Sequence, residues 1–275
     1  MKVLTICSHK GGTGKTTTAV NLSSALALTG HKTLLIDMDP QGFLTSMLGL
    51  QQRQKEGSCL MLFEQGIKLT DIQMTRVGSL DVLPSSHMMT SKMRHLNKAT
   101  DVFYAKEALH NGEHDYDMVI FDTAAAITVF SLNALVTSDN VLIPVTPEYQ
   151  PVMGAEQTVE TIRLVAGKLN PKLADPLFVL TQVDGRKTTH QRYREYMQGR
   201  YPNHLLSTEI RTCSSLANSY KNGATVFDID LNSRGAHDYA KLTDAILPVI
   251  FKDQGEAESK EPEPAKPSFV VNSVQ

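Results

Sequence analysis

The chain has 275 residues, of which 41% are hydrophobic, and its formal net charge at pH 7 is −2. This length and apolar content suffice for a large buried core, which excludes a fibrous or wholly disordered chain. The charge excludes a generally basic protein, so any affinity for nucleic acid must come from a local cluster of cations.

The cysteines and the apolar runs indicate the compartment. Cys7, Cys59 and Cys213 are widely spaced and form no metal-binding pattern, which is typical of a protein in a reducing cytoplasm. The first strand begins at the N-terminus and leaves no room for a signal peptide, and no apolar stretch reaches the roughly 20 residues of a spanning helix. We therefore expect a soluble, cytoplasmic protein that does not enter a membrane.

Residues 2–17 combine an apolar run, a glycine-rich turn and the beginning of a helical pattern. Glycines let the backbone turn tightly, so that its N–H groups converge on a phosphate. Lys15 then supplies a charge for the β- and γ-phosphates, and the hydroxyl of Thr16 is placed to bind Mg²⁺. This order predicts a phosphate loop with a bound nucleotide. The residues predicted to bind the nucleotide here are Lys10, Gly11, Gly12, Thr13, Gly14, Lys15, Thr16 and Thr17.

The loop departs from the usual pattern G-x-x-x-x-G-K-[ST]. Counting back from Gly14 places His9 where the first glycine normally stands, and a second lysine, Lys10, follows. The loop thereby resembles the deviant phosphate loop of the ParA and MinD ATPases. That resemblance implies that Lys10 reaches the nucleotide of a partner subunit in an ATP-dependent dimer. The alternative is that Lys10 only solvates the loop.

A helical pattern from residue 18 to Gly30 is followed by a buried strand at 32–36, which ends in Asp37-Met38-Asp39-Pro40-Gln41-Gly42. Ligands bind outside the carboxyl ends of strands in open α/β sheets, so these carboxylates lie where a ligand is expected. The segment also resembles the D-x-D-P-Q-G motif of the ParA family. The resemblance implies that Asp39 orients the attacking water near the γ-phosphate and the metal, while Asp37 supports the local network.

The next 80 residues predict a loop at 51–57, a short strand at 79–83, a helix at 91–110 and another buried strand at 117–121. The last strand ends at Asp122, and an acid directly after an apolar strand is typical of a Walker B motif that holds Mg²⁺. The predicted metal-binding residues are thus Thr16, Asp39 and Asp122.

Relatives generally have two prolines after the Walker B acid, where this chain has Ala124, Ala125 and Ala126. Proline fixes φ and removes an N–H donor. The alanines therefore predict a more mobile loop and a weaker response to the γ-phosphate.

The sequence from 132 to 149 again resembles ParA and predicts a helix, a strand at 141–145 and a turn. A helix at 156–169 and a strand at 177–180 follow. In relatives the end of this last strand lies beside the adenine. The resemblance therefore implies that Gln182 and Asp184 bind ATP, although an aspartate before glycine is more commonly a loop cap.

From 186 to 200 the sequence carries five cations against one acid, Glu195. A basic helix of this kind binds DNA phosphates without reading bases; a merely solvated face is the alternative. Asp228 and Asp230 stand near the place where some relatives have a DNA-binding arginine, which argues against DNA binding there. The Ser-Arg-Gly motif at 233–235 opens a last helix at 236–251. The residues predicted to contact DNA are Lys187, Arg192, Arg194 and Arg200.

These patterns predict one α/β domain over residues 1–251, a deviant phosphate-loop NTPase with a mostly parallel sheet covered by helices on both faces. Residues 252–275 are rich in Glu, Lys, Pro and Ser and predict a disordered acidic tail. A MinD-like protein would instead end in a basic amphipathic helix.

The resemblance as a whole implies a ParA-type partition ATPase that uses ATP and Mg²⁺ and acts through Lys10, Lys15 and Asp39. It implies a homodimer with ATP, nonspecific DNA binding, association with the nucleoid and stimulation by a ParB-like partner. Two alternatives stay open. One is a ParA-like protein that positions a protein assembly, and the other is an ATP-dependent dimerisation module with weak hydrolysis.

Overall fold

A twisted eight-stranded sheet organises the computed structural model of the protein, which describes residues 1–251. The predicted tail at 252–275 lies outside the described residues. The strands are β1 Lys2–Ile6, β2 Thr33–Asp37, β3 Thr75–Val77, β4 Leu80–Leu83, β5 Met118–Asp122, β6 Asn140–Val145, β7 Leu177–Val183 and β8 Leu205–Arg211. Their order across the sheet is β3-β4-β2-β5-β1-β6-β7-β8, and only the β3–β4 pair is antiparallel within this sheet.

Helices follow most of the parallel strands. They are α1 Lys15–Leu28, α2 Phe43–Met47, α3 Met89–Met93, α4 Tyr104–His110, α5 Val129–Thr137, α6 Tyr149–Lys168, α7 Thr188–Arg200, α8 Ser214–Ser219, α9 Val226–Ile229 and α10 Arg234–Ile250. Within residues 1–251, none of them combines the length and the apolar character that crossing a bilayer requires.

Alternating side chains of the central strands enter separate cores on the two faces of the sheet. On β1, Leu4 and Ile6 pack with α1 and α10, whereas Val3 points to the opposite face, where α4 and α5 lie. Helix α6 covers that second face over β6 and β7. Strands buried on both sides require continuous apolar runs, which is why their sequences are so uniformly hydrophobic. The predicted mostly parallel sheet with helices on both faces is confirmed.

The register of the central strands brings their carboxyl ends together. Strand β5 lies between β1 and β2, and Asp122 is paired with Ile6 on one side and with Asp37 on the other. The loops that follow β1, β2 and β5 therefore leave the sheet side by side, as the sequence analysis expects of a ligand site in an α/β sheet.

The predicted helix at 91–110 is wrong. The chain forms the short helix α3, then a 3₁₀ turn at Ala99–Val102 and only then α4. Asn133 of α5 accounts for the interruption between the 3₁₀ turn and α4, because its Nδ2 donates to the carbonyl of Asp101 and its Oδ1 accepts from the N–H of Ala105. These tertiary hydrogen bonds satisfy backbone groups that a continuous helix would have used internally.

We predict that Asn133→Ala lowers the free energy of unfolding by about 2–4 kcal/mol, because it leaves two buried backbone groups unpaired. Urea denaturation measures the change. The exposed Asn111 is the matched control, and Asn111→Ala should change stability by less than about 0.5 kcal/mol. Equal effects of the two substitutions would show that Asn133 does not hold this break.

Candidate functional site

The loop between β1 and α1 has the backbone of an anion-binding turn. Gly12 and Gly14 have φ angles of 77° and 81°, which side chains disfavour. Helix α1 then begins at Lys15 without a side-chain cap at Gly14 and without an acidic residue in its first turn. Its first N–H groups and the positive end of its dipole are thus available to a negatively charged ligand.

Lys15 is a buried cation at the base of this loop. The residue is 9% exposed, and its Nζ donates to the carbonyl of Lys10 at 3.1 Å. Burial lowers the pKa of Lys15, and the nearby carboxylate of Asp122 opposes that change. The lysine therefore lies in a place where its charge is poorly screened by water and interacts strongly with any anion.

Asp122 has one carboxylate oxygen in use and one without a partner. Its Oδ2 accepts a hydrogen bond from the Thr16 hydroxyl at 2.8 Å, whereas its Oδ1 is buried and has no hydrogen-bond partner among the described residues. Burial raises the pKa of this carboxyl group well above its ordinary value. An unpartnered buried carboxylate oxygen beside a hydroxyl fits a hard cation such as Mg²⁺.

Asp39 lies at the mouth of the same site. It lines a cavity of about 580 Å³ together with Lys15, Thr16 and the glycines of the loop. Residues 1–251 contain no group of three His, Cys, Asp or Glu side chains suited to hold a metal. A Mg²⁺ ion here would depend on the Thr16 hydroxyl, on carboxylate oxygens and on oxygens from water and phosphate.

Asp37 is hydrogen-bonded within the protein instead. Its Oδ2 accepts from the N–H and the hydroxyl of Thr45 at 2.9 and 2.6 Å, and its Oδ1 accepts from the N–H of Asp39 at 3.1 Å. Burial raises its pKa to about 7, while these donors lower it. Asp37 thus ties the Asp39 turn to the end of β2 and to α2.

Lys10 lies on the other side of the loop from Lys15. It lines a second cavity of about 440 Å³ with Glu148, Tyr149 and His190, and only Gly11, Gly12 and Gln182 line both cavities. Helix α6 packs closely against Lys10 at Gly154. The approach is so close that a Cβ atom added at Gly154 would lie only 3.0 Å from the Lys10 Cβ. The two lysines of the loop therefore face different spaces.

Gln182 and Asp184, the two residues predicted to contact adenine, differ from each other in what they bind. Gln182 donates from its Nε2 to the Gly12 carbonyl at 2.6 Å, and so contacts the phosphate loop. Asp184 binds the guanidinium of Arg186 through both carboxylate oxygens, at 2.9 and 2.8 Å, and lines neither cavity beside the loop.

A third cavity of about 270 Å³, which no sequence pattern predicts, lies beyond Gly14. Its lining includes Thr17, Arg211, Thr212, Cys213 and Tyr220. Most of these residues follow β8, a strand that the sequence analysis does not predict because its side chains are mostly half-buried and carry little apolar periodicity. This cavity adjoins the loop on the side where α1 begins, and it is large enough to take part of a base.

Most of the predicted DNA-contacting cations have partners in the structure. Arg194 pairs with Glu209 at 2.6 Å, Lys187 lies 3.5 Å from Glu148, and the Arg200 guanidinium lies 5.7 Å from the centre of the Tyr201 ring. Arg192 is exposed on α7. The helix itself is confirmed as α7, but the carboxylates of Glu209 and Glu148 offset the charges of Arg194 and Lys187.

The sequence and the fold both match known proteins. The AAA_31 family model, described as an AAA domain, matches residues 1–174. Sporulation initiation inhibitor protein Soj of Bacillus subtilis is 33% identical over 244 residues, covering 88% of this chain and 96% of Soj. Virulence plasmid ParA family protein pGP5-D of Chlamydia psittaci is 32% identical over 258 residues, covering 92% and 97%. The chain belongs to the ParA family of partition ATPases.

A solved structure extends this likeness to a nucleotide complex. Cobyrinic acid a,c-diamide synthase from Mycobacterium smegmatis, with bound ATP analogue and magnesium, superimposes with a TM-score of 0.76 at 27% identity, covering 90% of this chain and 95% of that chain. The predicted phosphate-loop NTPase fold is thereby confirmed, and a homologous structure holds the nucleotide and metal that the loop geometry fits.

We predict that Asp122→Asn raises the free energy of unfolding of the nucleotide-free protein at pH 8, by about 1 kcal/mol or more, because an amide is less costly to bury than a carboxylate. Urea denaturation in the presence of a chelator measures it. In the same variant Mg²⁺ should no longer strengthen the binding of ATP. A variant that is destabilised and still responds to Mg²⁺ would contradict this role of Asp122.

Proposed function

We propose that this ParA-family protein is an ATPase that dimerises on ATP, binds DNA nonspecifically and partitions a DNA cargo with a ParB-like partner. The proposal rests above all on the two lysines of the loop. Lys15 faces the cavity with Asp39 and Thr16, whereas Lys10 faces the adjoining cavity. A lysine that faces away from its own nucleotide site is well placed to reach the nucleotide of a second subunit.

In this proposal different residues of the site bind the phosphates, hold the metal and orient the attacking water. The loop amides and Lys15 bind the phosphates, and Thr16 and Asp122 hold the metal. When bound, Mg²⁺ neutralises charge that develops on the phosphate oxygens. Asp39, at the mouth of the cavity, orients the attacking water, and its turn is fixed by Asp37. Residues 1–251 form the ATPase unit in this proposal, and residues 252–275 form its tail.

A dimerisation module with weak hydrolysis is the second candidate, and the loop after Asp122 favours it. Ala124 and Ala125 are half-buried, have no side-chain hydrogen-bonding groups and lack the fixed φ of proline. The loop is tied at Ala126, whose carbonyl accepts from the Ser131 hydroxyl at 3.0 Å. In this case ATP would still close the dimer, and the cytoplasmic protein would still associate with the nucleoid, but turnover would be slow even with the partner.

We predict that Lys10→Ala still binds ATP through Lys15 but no longer forms an ATP-dependent dimer, since its ammonium group is lost from the partner's phosphates. Lys15→Ala is the matched control and should lose ATP binding itself. Sedimentation with ADP and with a slowly hydrolysed ATP analogue, together with nucleotide titration, separates the two outcomes. A Lys10→Ala protein that dimerises like the wild type would rule out the role across the interface.

We predict that Arg192→Ala weakens DNA binding by the ATP-bound protein more than Arg194→Ala does, because Arg194 is already paired with Glu209. A dimer would lose two phosphate contacts, so the slope of log K against log salt should fall by about 1.8, at about 0.9 per contact.

Binding to a random DNA duplex at several salt concentrations measures this slope. Arg76→Ala is the control, because Arg76 lies on β3 at the opposite edge of the sheet from α7. An unchanged slope for Arg192→Ala would place the DNA-binding surface elsewhere.

A further inference from the structure

Strand β7 contains an irregularity beside the phosphate loop. Leu180 pairs with Glu209, and Val183 pairs with Arg211. Between these two pairs β7 therefore has two residues where β8 has one. The extra length falls at Thr181 and Gln182, and this is the geometry of a β-bulge. Gln182 has a φ of 53° and is the one non-glycine residue of the described chain with a positive φ.

The bulge directs two consecutive side chains at the same loop. Thr181 donates from its Oγ1 to the Thr13 carbonyl at 2.8 Å, and Gln182 donates from its Nε2 to the Gly12 carbonyl at 2.6 Å. In a regular strand, successive side chains point to opposite faces, so both contacts would not form. The positive φ of Gln182 is therefore what allows its side chain to bond to the Gly12 carbonyl.

We propose that Gln182 is a positioning residue that aims the amide groups of the phosphate loop at the nucleotide. In a trans peptide the C=O and the N–H point in opposite directions. By fixing the direction of the Gly12 carbonyl, Gln182 also fixes the direction of the Thr13 N–H in the same peptide, and Thr181 does the same for the Gly14 N–H. Gln182 thus acts through the loop, and its own contact with the base is not required.

The surroundings of Gln182 support this role. The backbone carbonyl of Gln182 accepts from the Thr212 hydroxyl at 3.2 Å, which fixes the bulge from the other side. Gly12, which Gln182 holds, lines both the cavity of Lys15 and the cavity of Lys10. The hydrogen bond between Gln182 and Gly12 therefore lies between the two cavities. A change in the orientation of the Gly12–Thr13 peptide would alter the lining of both.

The inference rests on the proposed binding of ATP, and a set of substitutions at one position tests it. Gln182→Met keeps the length of the side chain and removes the donor. We expect it to release a fluorescent ATP analogue about 2- to 10-fold faster in stopped-flow experiments, the effect of losing one hydrogen bond. Gln191→Met is the matched control on exposed α7, where the glutamine donates to Glu195, and should leave the release rate unchanged.

A second pair of variants separates positioning from general damage to the fold. Gln182→Ala and Gln182→Gly both lack the donor, but only glycine adopts a positive φ without strain. The Gly variant should unfold at a higher temperature than the Ala variant, and both should lose affinity for the ATP analogue equally.

The outcomes distinguish the inference from the proposal beneath it. A wild-type protein that binds the ATP analogue, together with a Gln182→Met variant that releases it at the wild-type rate, would overturn the role of Gln182 alone. Affinity that recovers along with stability in the Gly variant would also overturn it. A wild-type protein that binds no ATP would overturn both.

Discussion

The parallel register of β1, β2 and β5 is the constraint on which the site depends. It places Asp37 and Asp122 side by side on the face of the sheet that α1 covers, at the level where the phosphate loop leaves β1. Slipping β5 by one residue would turn Asp122 to the opposite face, into the apolar layer around Phe63 and Phe130. The apolar side chains that fix this register therefore also fix the electrostatics of the site.

Burying two carboxylates next to each other is unfavourable unless donors or cations compensate them. The protein compensates them unequally. Asp37 accepts three hydrogen bonds from its own loop and from α2, so both of its carboxylate oxygens have partners without a ligand. Asp122 receives one, from Thr16, and depends on Lys15 for nearby positive charge. This inequality separates a carboxylate that shapes the site from one that is available to a cation.

Sequence alone predicted those parts of the site that are contiguous in the chain. The phosphate loop, the acidic turn after β2 and the Asp122 strand each carry their signal within a few residues, and the fold they imply is confirmed. The helix expected at 91–110 is not continuous, and part of the reason lies outside its own sequence: Asn133, more than 20 residues further along the chain, binds the backbone groups of Asp101 and Ala105.

Tertiary contacts also account for what the sequence left undetermined. The contact of Gln182 with the loop depends on a bulge set by pairing with β8, a strand whose half-buried sequence gives little signal. The ion pair between Arg194 and Glu209 joins α7 to that same strand. A count of charges along the chain shows the cations of α7 but not which of them are already neutralised.

The close approach of α6 to the phosphate loop bears on how this protein can be engineered for heat resistance. Glycine inside a helix is less favourable than alanine by roughly 0.5–1 kcal/mol, so replacing helical glycines is a common stabilising strategy. Helix α6 contains two. Gly167 has open space around it, whereas a methyl group at Gly154 would press on Lys10 at 3.0 Å. Alanine at position 167 would therefore meet no neighbouring atom, whereas alanine at position 154 would fit only if Lys10 moved.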